Sequence, residues 1–383
     1  MDFNVVLKGI DSLYVSYRGV MKQYLLDDLE SKKQMARSDN LEDQARAVLV
    51  VGNHNFEVKG KGSGVFSYVL EDNWFRIAVA GPGGKKLPAL YVQIRSEILN
   101  CHGVEESMSN LRLVVAALLS GSYEEKISRV DIFIDFVTDY DFDTIEWESW
   151  ITQAKRINQY QDGNDFTGWA IGRRSGDICA RLYDKTAEII VSDKHFFKEL
   201  WSKSGWEEGQ RVVRLEFALK RNLLSLLGII FMPALMEKLN DLWRMCTQDW
   251  LRLAIIDDTE NRTRWDTEPL WVEIQNVKFN DCEYSGIKRE VSRSRSPDMK
   301  RLYLNGLGYL LTYAALNGYD NSNLSEAARS FLRDAGTYLD ACVLNDDKAR
   351  KNFVDSMDYI NKKINLKKKI FNKPGGDGDD VPF

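Results

Sequence analysis

Cysteine is scarce and scattered in this chain of 383 residues. Cys101, Cys179, Cys246, Cys282 and Cys342 are odd in number, and none stands at a spacing that suits a disulfide framework or a zinc site. The one adjacent pair of soft ligands, Cys101 and His102, reads as packing rather than metal binding. Long apolar runs are also missing. The longest weakly charged stretch, Asn222 to Met236, contains Pro233 and falls short of the roughly 18 to 20 residues that cross a bilayer. Its Leu223, Leu226, Leu227 and Ile230 suit a buried helix instead, so no membrane partner is expected. No basic region followed by an apolar core opens the chain, so no signal peptide is expected and the cytoplasm is the default location. Nor is there an excess of positive charge: 52 Lys and Arg against 57 Asp and Glu leave a net −5. That balance argues against a protein that coats nucleic acid indiscriminately. It leaves room for a local basic groove, because counterion release depends on the phosphates contacted.

What is present is enough apolar sequence, 44% hydrophobic against 28% charged, for a substantial core and two domains with a tail. Gly9 to Tyr17 alternates like a strand, and a charged amphipathic helix is expected from about Met21 to Val48. Short alternating runs near Val48, Gly64 to Leu70, Trp74 to Ala80 and Leu90 to Arg95 suggest antiparallel hairpins. Glu105 to Leu119 and about Thr144 to Asn158 read as helices, and residues 162–168 as a loop. The fold class is therefore α+β, an antiparallel sheet with helices on one side. After Lys220 the pattern turns helical, at about 222–256, 297–317, 324–343 and 346–365. The expected domains are 1–221, a helical region at 222–366 and a flexible tail at 367–383. Lys288, Arg289, Arg293, Arg295, Lys300 and Arg301 form a basic run that reads either as a solvated linker or as a phosphate-contacting segment.

Three strand-like segments carry the chemistry. In Ser128-Arg-Val-Asp-Ile-Phe-Ile-Asp-Phe136, side-chain alternation puts Asp131, Phe133 and Asp135 on one face and Ile132, Ile134 and Phe136 on the other. In Arg214-Leu-Glu-Phe-Ala-Leu-Lys-Arg221, Glu216 shares a face with Arg214, Ala218 and Lys220. In Arg181-Leu-Tyr-Asp-Lys185, Tyr183 is in register with Arg181 and Lys185. A lone strand tyrosine is usually packed, and a strand aspartate is often an edge charge. Two aspartates four apart within apolar β sequence are harder to dismiss, because an unpaired buried carboxylate costs several kcal/mol. Adjacent strands in these registers would set a phenol and cations beside hard carboxylate oxygens suited to Mg²⁺ or Mn²⁺, a phosphoryl-transfer arrangement. Tyr183 would be the nucleophile, Arg181 and Lys185 the charges that activate it, and Asp131, Asp135 and Glu216 the metal ligands.

The order Ser-Arg-Val-Asp-x3-Asp-Phe, Ile171-Gly-Arg-Arg-Ser175, Arg-Leu-Tyr-Asp-Lys and Arg-Leu-Glu-Phe-x-Leu-Lys-Arg resembles the replication initiation factor family. That family comprises rolling-circle plasmid initiators, related relaxases of integrative elements and some filamentous-phage replication proteins. The resemblance spans about residues 9–221. It implies an HUH-like catalytic sheet and a DNA nicking-closing enzyme with Tyr183 as its nucleophile. Acidic metal ligands would lie on the flanking strands, and Arg173, Arg174, Ser175, Lys220 and Arg221 are candidates for DNA contact. The chain departs from the family pattern at Ala218, Gln93 and Ala170, and its three histidines form no His-hydrophobic-His pair. The implied role is a rolling-circle initiator that binds a double-stranded origin and its exposed single strand, with the helical region binding the origin or forming a homodimer. A mobilisation relaxase and a catalytically weakened DNA-binding regulator are the alternatives.

The carboxyl end carries a separate signal. Lys367 to Lys369 precede a Gly/Asp-rich tail that ends Asp379-Asp380-Val381-Pro382-Phe383. This resembles the tip of bacterial single-stranded-DNA-binding proteins. A terminal Phe would fill an apolar pocket while the acids meet a basic rim, and the implied partner is a host helicase or another protein that binds that tip.

Overall fold

The computed structural model describes residues 2–82, 87–162, 165–282, 299–345, 360, 361 and 364. Strand β1 (Phe3–Met21) leads into helices α1 (Gln23–Met35) and α2 (Leu41–Arg46). Five short strands follow: β2 (Val48–Val51), β3 (His54–Val58), β4 (Tyr68–Glu71), β5 (Phe75–Val79) and β6 (Leu90–Ile94). Helices α3 (Ser96–His102) and α4 (Val104–Leu118) precede the long strand β7 (Leu119–Thr138). Next come β8 (Trp150–Thr152), β9 (Ile157–Asp162), β10 (Asp165–Ile171), β11 (Ile178–Asp184), α5 (Lys185–Val191), α6 (Phe196–Ser202) and β12 (Val213–Lys220). Beyond them are α7 (Arg221–Leu226), α8 (Met232–Glu237), α9 (Leu239–Arg244), β13 (Leu251–Leu253), α10 (Pro269–Gln275), α11 (Met299–Leu316) and α12 (Leu324–Asn345).

Eleven strands form one sheet in the order β2-β3-β4-β5-β6-β1-β7-β12-β11-β10-β9, every neighbouring pair antiparallel. The fold is thus mixed α+β with a large antiparallel sheet. Alternation assigns its faces as the sequence implies. Val130, Ile132, Ile134 and Phe136 of β7 lie opposite Leu219, Phe217, Leu215 and Val213 of β12, all fully buried or nearly so. Each such side chain contributes roughly 1.5 to 3 kcal/mol on leaving water. Helix α4 seals this face with Met108, Leu111, Val115 and Leu118, spaced to form one stripe.

Several local expectations give way. Helices are not confined to one side: α5 and α6 cover part of the opposite face, where Ile189, Phe197 and Trp201 pack with Val6 and Val212 in a second, smaller core. The helix expected over 144–158 is two 3₁₀ turns followed by β8 and the start of β9. Trp150 is drawn into a strand pairing with Leu253 and packs edge-on against Trp169 and Trp271. Of the loop expected at 162–168, Asp162 ends β9 and residues 165–168 belong to β10, with 163 and 164 outside the described residues. The single helix expected over 222–256 is broken three times. Gly228 at φ +71° follows the end of α7 before Pro233 opens α8, Lys238 separates α8 from α9, and a π-turn at Met245–Trp250 runs from α9 into β13.

The chain divides into compact units at Met1–Glu290 and Val291–Phe383. The boundary expected after Arg221 therefore falls inside the first unit, because Leu223, Leu224, Trp243 and Trp271 are buried in the same core as the sheet. In the second unit, α11 and α12 pair through Tyr313, whose ring meets Phe331 and whose hydroxyl donates to Asp334 at 2.5 Å. Residues 346–359 and the tip Asp379, Asp380, Val381, Pro382 and Phe383 lie outside the described residues, as do Lys288, Arg289, Arg293 and Arg295.

Candidate active site

Pairing of β7, β12, β11 and β10 stacks the singled-out residues in rows across one sheet face. Asp135, Arg214, Tyr183 and Gly168 form one row; Phe133, Glu216, Arg181 and Ala170 form the next; Asp131, Ala218 and Cys179 form a third. Gly168 is required where it stands, since a Cβ there would lie 2.8 Å from the Leu182 carbonyl oxygen and 2.9 Å from the Tyr183 Cβ. Tyr183 is the penultimate residue of β11. Asp184 then caps α5 by accepting from the Ala187 amide at 2.9 Å, and Lys185 becomes the first residue of that helix. A strand-to-helix junction thereby fixes the Tyr-Asp-Lys motif.

Asp135 does not reach the cavity chemistry expected of it. It is fully buried, and its carboxylate accepts from Arg214 Nε at 2.5 Å, Arg214 Nη2 at 2.7 Å and Trp201 Nε1 at 2.8 Å. Arg214 turns its remaining nitrogen to Asp11, at 2.5 Å. This is a structural ion-pair cluster under the α6 cap, and the assignment of Asp135 as a metal ligand is corrected accordingly. Asp11 is the acid that sequence reading missed. It sits where the β1–β7 register slips between Ile10 and Ser12, accepts also from Ser96 Oγ at 2.8 Å, and lines the Tyr183 cavity. Strict alternation would assign it to the face of Leu13, and the bulge hides the true direction. Burial would raise its carboxyl, but Arg214, then Lys185, overcome that and lower it to about 2.

Asp131 and Glu216 remain as nearby acids, diagonal neighbours on paired strands with Cα atoms roughly 7 to 8 Å apart. Arg129 grips Asp131 with two bonds, at 2.7 and 2.6 Å. Arg181 reaches Glu216 at 2.5 Å, and the Tyr183 hydroxyl donates to the other Glu216 oxygen at 3.4 Å. Burial pushes the Asp131 carboxyl up to about 7 against the Arg129 bonds, helped by the Glu216 charge. Burial, and next the Glu216 charge, hold the Tyr183 phenol well above its usual range, with Arg214 and Arg181 only partly opposing. Lys185, also buried, pairs with Glu188 and sits 5.7 Å from the Tyr183 ring centre; burial and Arg214 lower its ammonium value.

Two depressions meet here. A cavity of about 390 Å³ is lined by Asp11, Arg181, Tyr183, Lys185, Glu188 and Glu216. A groove of about 850 Å³ adjoins it, sharing Tyr160, Ala170 and Arg181, and is lined by Arg129, Arg156, Arg173, Arg174 and Lys220 with Tyr14. Of the expected DNA-contact residues, Arg173, Arg174 and Lys220 line the groove, while Ser175 and Arg221 do not. Arg129, Arg156, Tyr14 and Tyr160 were not foreseen; their signal, cations and aromatics on the groove-facing parity, becomes readable only once the strand order is known. A larger cavity of about 930 Å³ around the His54–Asp72 pair holds no candidate nucleophile, and its Lys59, Arg95, Glu57 and Glu71 are paired among themselves.

Among the described residues, no three His, Cys, Asp or Glu side chains converge as a ready-made metal cluster. Of the three acids expected as ligands, Asp131 and Glu216 are left to supply hard oxygens in the manner of Mg²⁺, which takes one or two carboxylates and completes its shell with waters and substrate phosphate. Among the described residues no helix is long and apolar enough to cross a membrane.

No protein-family model matches the chain, and no curated protein matches it. Among solved structures, it is similar to one described as a rolling circle replication initiator protein from Geobacillus stearothermophilus. The TM-score is 0.44 at 13% identity, covering 74% of this chain and 100% of that one.

Proposed function

We propose that this chain is a DNA strand transferase that initiates rolling-circle replication by nicking one strand through Tyr183. The observation that carries the reading is the position of the Tyr183 phenol, in a pocket with Glu216, Arg181 and Lys185 that opens onto an arginine-rich groove. Such a groove suits the backbone of a single strand, with the exposed Tyr160 offering a face for a base.

The phenolic oxygen of Tyr183 attacks the scissile phosphorus, the bond to the 3′ oxygen breaks, and the strand's 5′ end stays on the tyrosine. Glu216 orients the hydroxyl and is the nearest acceptor for its proton; the departing 3′ oxygen takes up a proton in turn. Arg181 and Lys185 offset charge on the phosphate oxygens. A divalent ion, Mg²⁺ or Mn²⁺, held by Asp131 and Glu216 would supply the positive charge that lowers the phenol's proton affinity. Religation is the same exchange reversed. Origin binding by the helical region, and helicase recruitment by the terminal Asp379 to Phe383, belong to this reading on sequence grounds.

Purified protein with Mn²⁺ is expected to convert a supercoiled plasmid bearing its origin to nicked circles carrying protein on the 5′ end. Tyr183→Phe is expected to bind that DNA and leave no adduct. An undiminished adduct in that variant overturns the choice of nucleophile.

A further inference from the structure

The two acids that remain as cation ligands are both occupied by arginines, and these arginines are unlike the third in the site. Arg214 has a fully buried side chain and is locked between Asp11 and Asp135. Arg129 and Arg181 instead leave 29% and 43% of their side chains exposed, while the carboxylates they hold, on Asp131 and Glu216, are 3% and 1% exposed. Both arginines line the basic groove. Arg129 lies 5.0 Å above the Tyr14 ring, a surface along which a guanidinium can slide without losing its apolar contact.

Both Asp131 oxygens bond Arg129, and the two Glu216 oxygens bond Arg181 and Tyr183. A divalent ion entering this arrangement would meet two guanidinium charges at its own ligands. A strand in the groove changes the competition, because a phosphate offers an arginine the same two-point geometry as a carboxylate.

We propose that Arg129 and Arg181 gate the cation site, occupying Asp131 and Glu216 in the free protein and passing to strand phosphates when DNA enters the groove. Resting on the nickase reading above, this makes single-strand binding and divalent-ion binding mutually reinforcing, by the same factor in each direction. Its consequence is that the phenol is activated only when a strand is in place, so the free protein is protected from forming the charged nucleophile without substrate.

The test uses the full chain carrying Tyr183→Phe, so that no cleavage intervenes, and counts free Mn²⁺ by electron paramagnetic resonance with and without an oligothymidylate of about twelve nucleotides. The expected result is Mn²⁺ affinity about tenfold higher with the oligonucleotide, and oligonucleotide affinity raised equally by Mn²⁺. Adding Arg129→Met is expected to tighten Mn²⁺ without DNA by a similar factor and to shrink the coupling. Arg181→Met provides a second route to the same outcome should the first variant fold poorly. Arg156→Met removes a groove cation that holds neither carboxylate and is expected to leave Mn²⁺ affinity within about twofold, separating the gate from general charge. Equal Mn²⁺ affinity with and without DNA, or no tightening in either arginine variant beyond that of Arg156→Met, overturns the gate. If Asp131→Asn nevertheless loses Mn²⁺, the cation assignment stands without it. Absence of Mn²⁺ binding in every arm overturns the gate together with that assignment.

Discussion

Asp131 and Asp135 are four residues apart on one strand face, yet their neighbours give them opposite fates. Asp135 is consumed by Arg214 and Trp201, and removing it leaves a guanidinium with no exposure to water and Asp11 as its remaining carboxylate. Asp135→Ala is expected to cost about 3 to 5 kcal/mol in urea unfolding, the usual penalty for breaking a buried pair. Asp131→Asn keeps the shape and frees only Arg129, which already reaches solvent, so it is expected to stay folded and lose Mn²⁺. Asp11 offers a pH signature. Its folded value, about 2, lies below the ordinary 3.8, so the charged form is favoured by folding. That stability is complete above about pH 4 and is lost as pH falls towards 2, about 2 kcal/mol in all. Asp11→Asn is expected to flatten that part of the stability profile; an unchanged acid limb would show that the Asp11–Arg214 bond adds nothing to folding.

At the scale of elements, the site depends on how closely β10 approaches β11. Gly168 faces Tyr183 across that pair without room for a methyl group. Gly168→Ala is expected to destabilise by about 1 to 3 kcal/mol through forced backbone shift, and to lower adduct formation more than oligonucleotide binding because the shift falls on the nucleophile's own strand. Comparable loss of both would place the effect in the groove rather than at Tyr183. The α5–α6 cap is the other controlling element. Trp201 supplies the indole N–H that completes the Asp135 shell. Trp201→Phe is expected to lower stability by about 1 to 3 kcal/mol, readable as a shift in urea midpoint, because it leaves a buried acceptor short of a donor.

Across the whole molecule, the sheet is not self-sufficient at Arg221. Residues from α7 through α10 bury Leu223, Leu224, Trp243 and Trp271 in the same core as β7 and β12. A fragment of residues 1–290 is expected to unfold cooperatively and to retain oligonucleotide binding. One of residues 1–221 exposes that apolar face and is expected to be recovered aggregated or without a cooperative transition. A stable, soluble 1–221 fragment would return the boundary to the place where the sequence pattern changes.

Side-chain alternation, a property of a few consecutive residues, settled from sequence alone which face of β7, β11 and β12 each side chain takes. It aligned Tyr183 with Arg181 and Glu216 with Arg214 correctly. Apolar periodicity likewise marked α4, α11 and α12. Only the tertiary structure decided which acids are free for chemistry, because partners are chosen between strands far apart in the chain: Arg214 meets Asp135 from 79 residues away and Asp11 from 203. A bulge turned Asp11 into the cavity, and a tryptophan strand pair overrode the helical pattern at 144–158. Local period determines direction; what a side chain meets in that direction depends on the order in which distant strands are laid side by side.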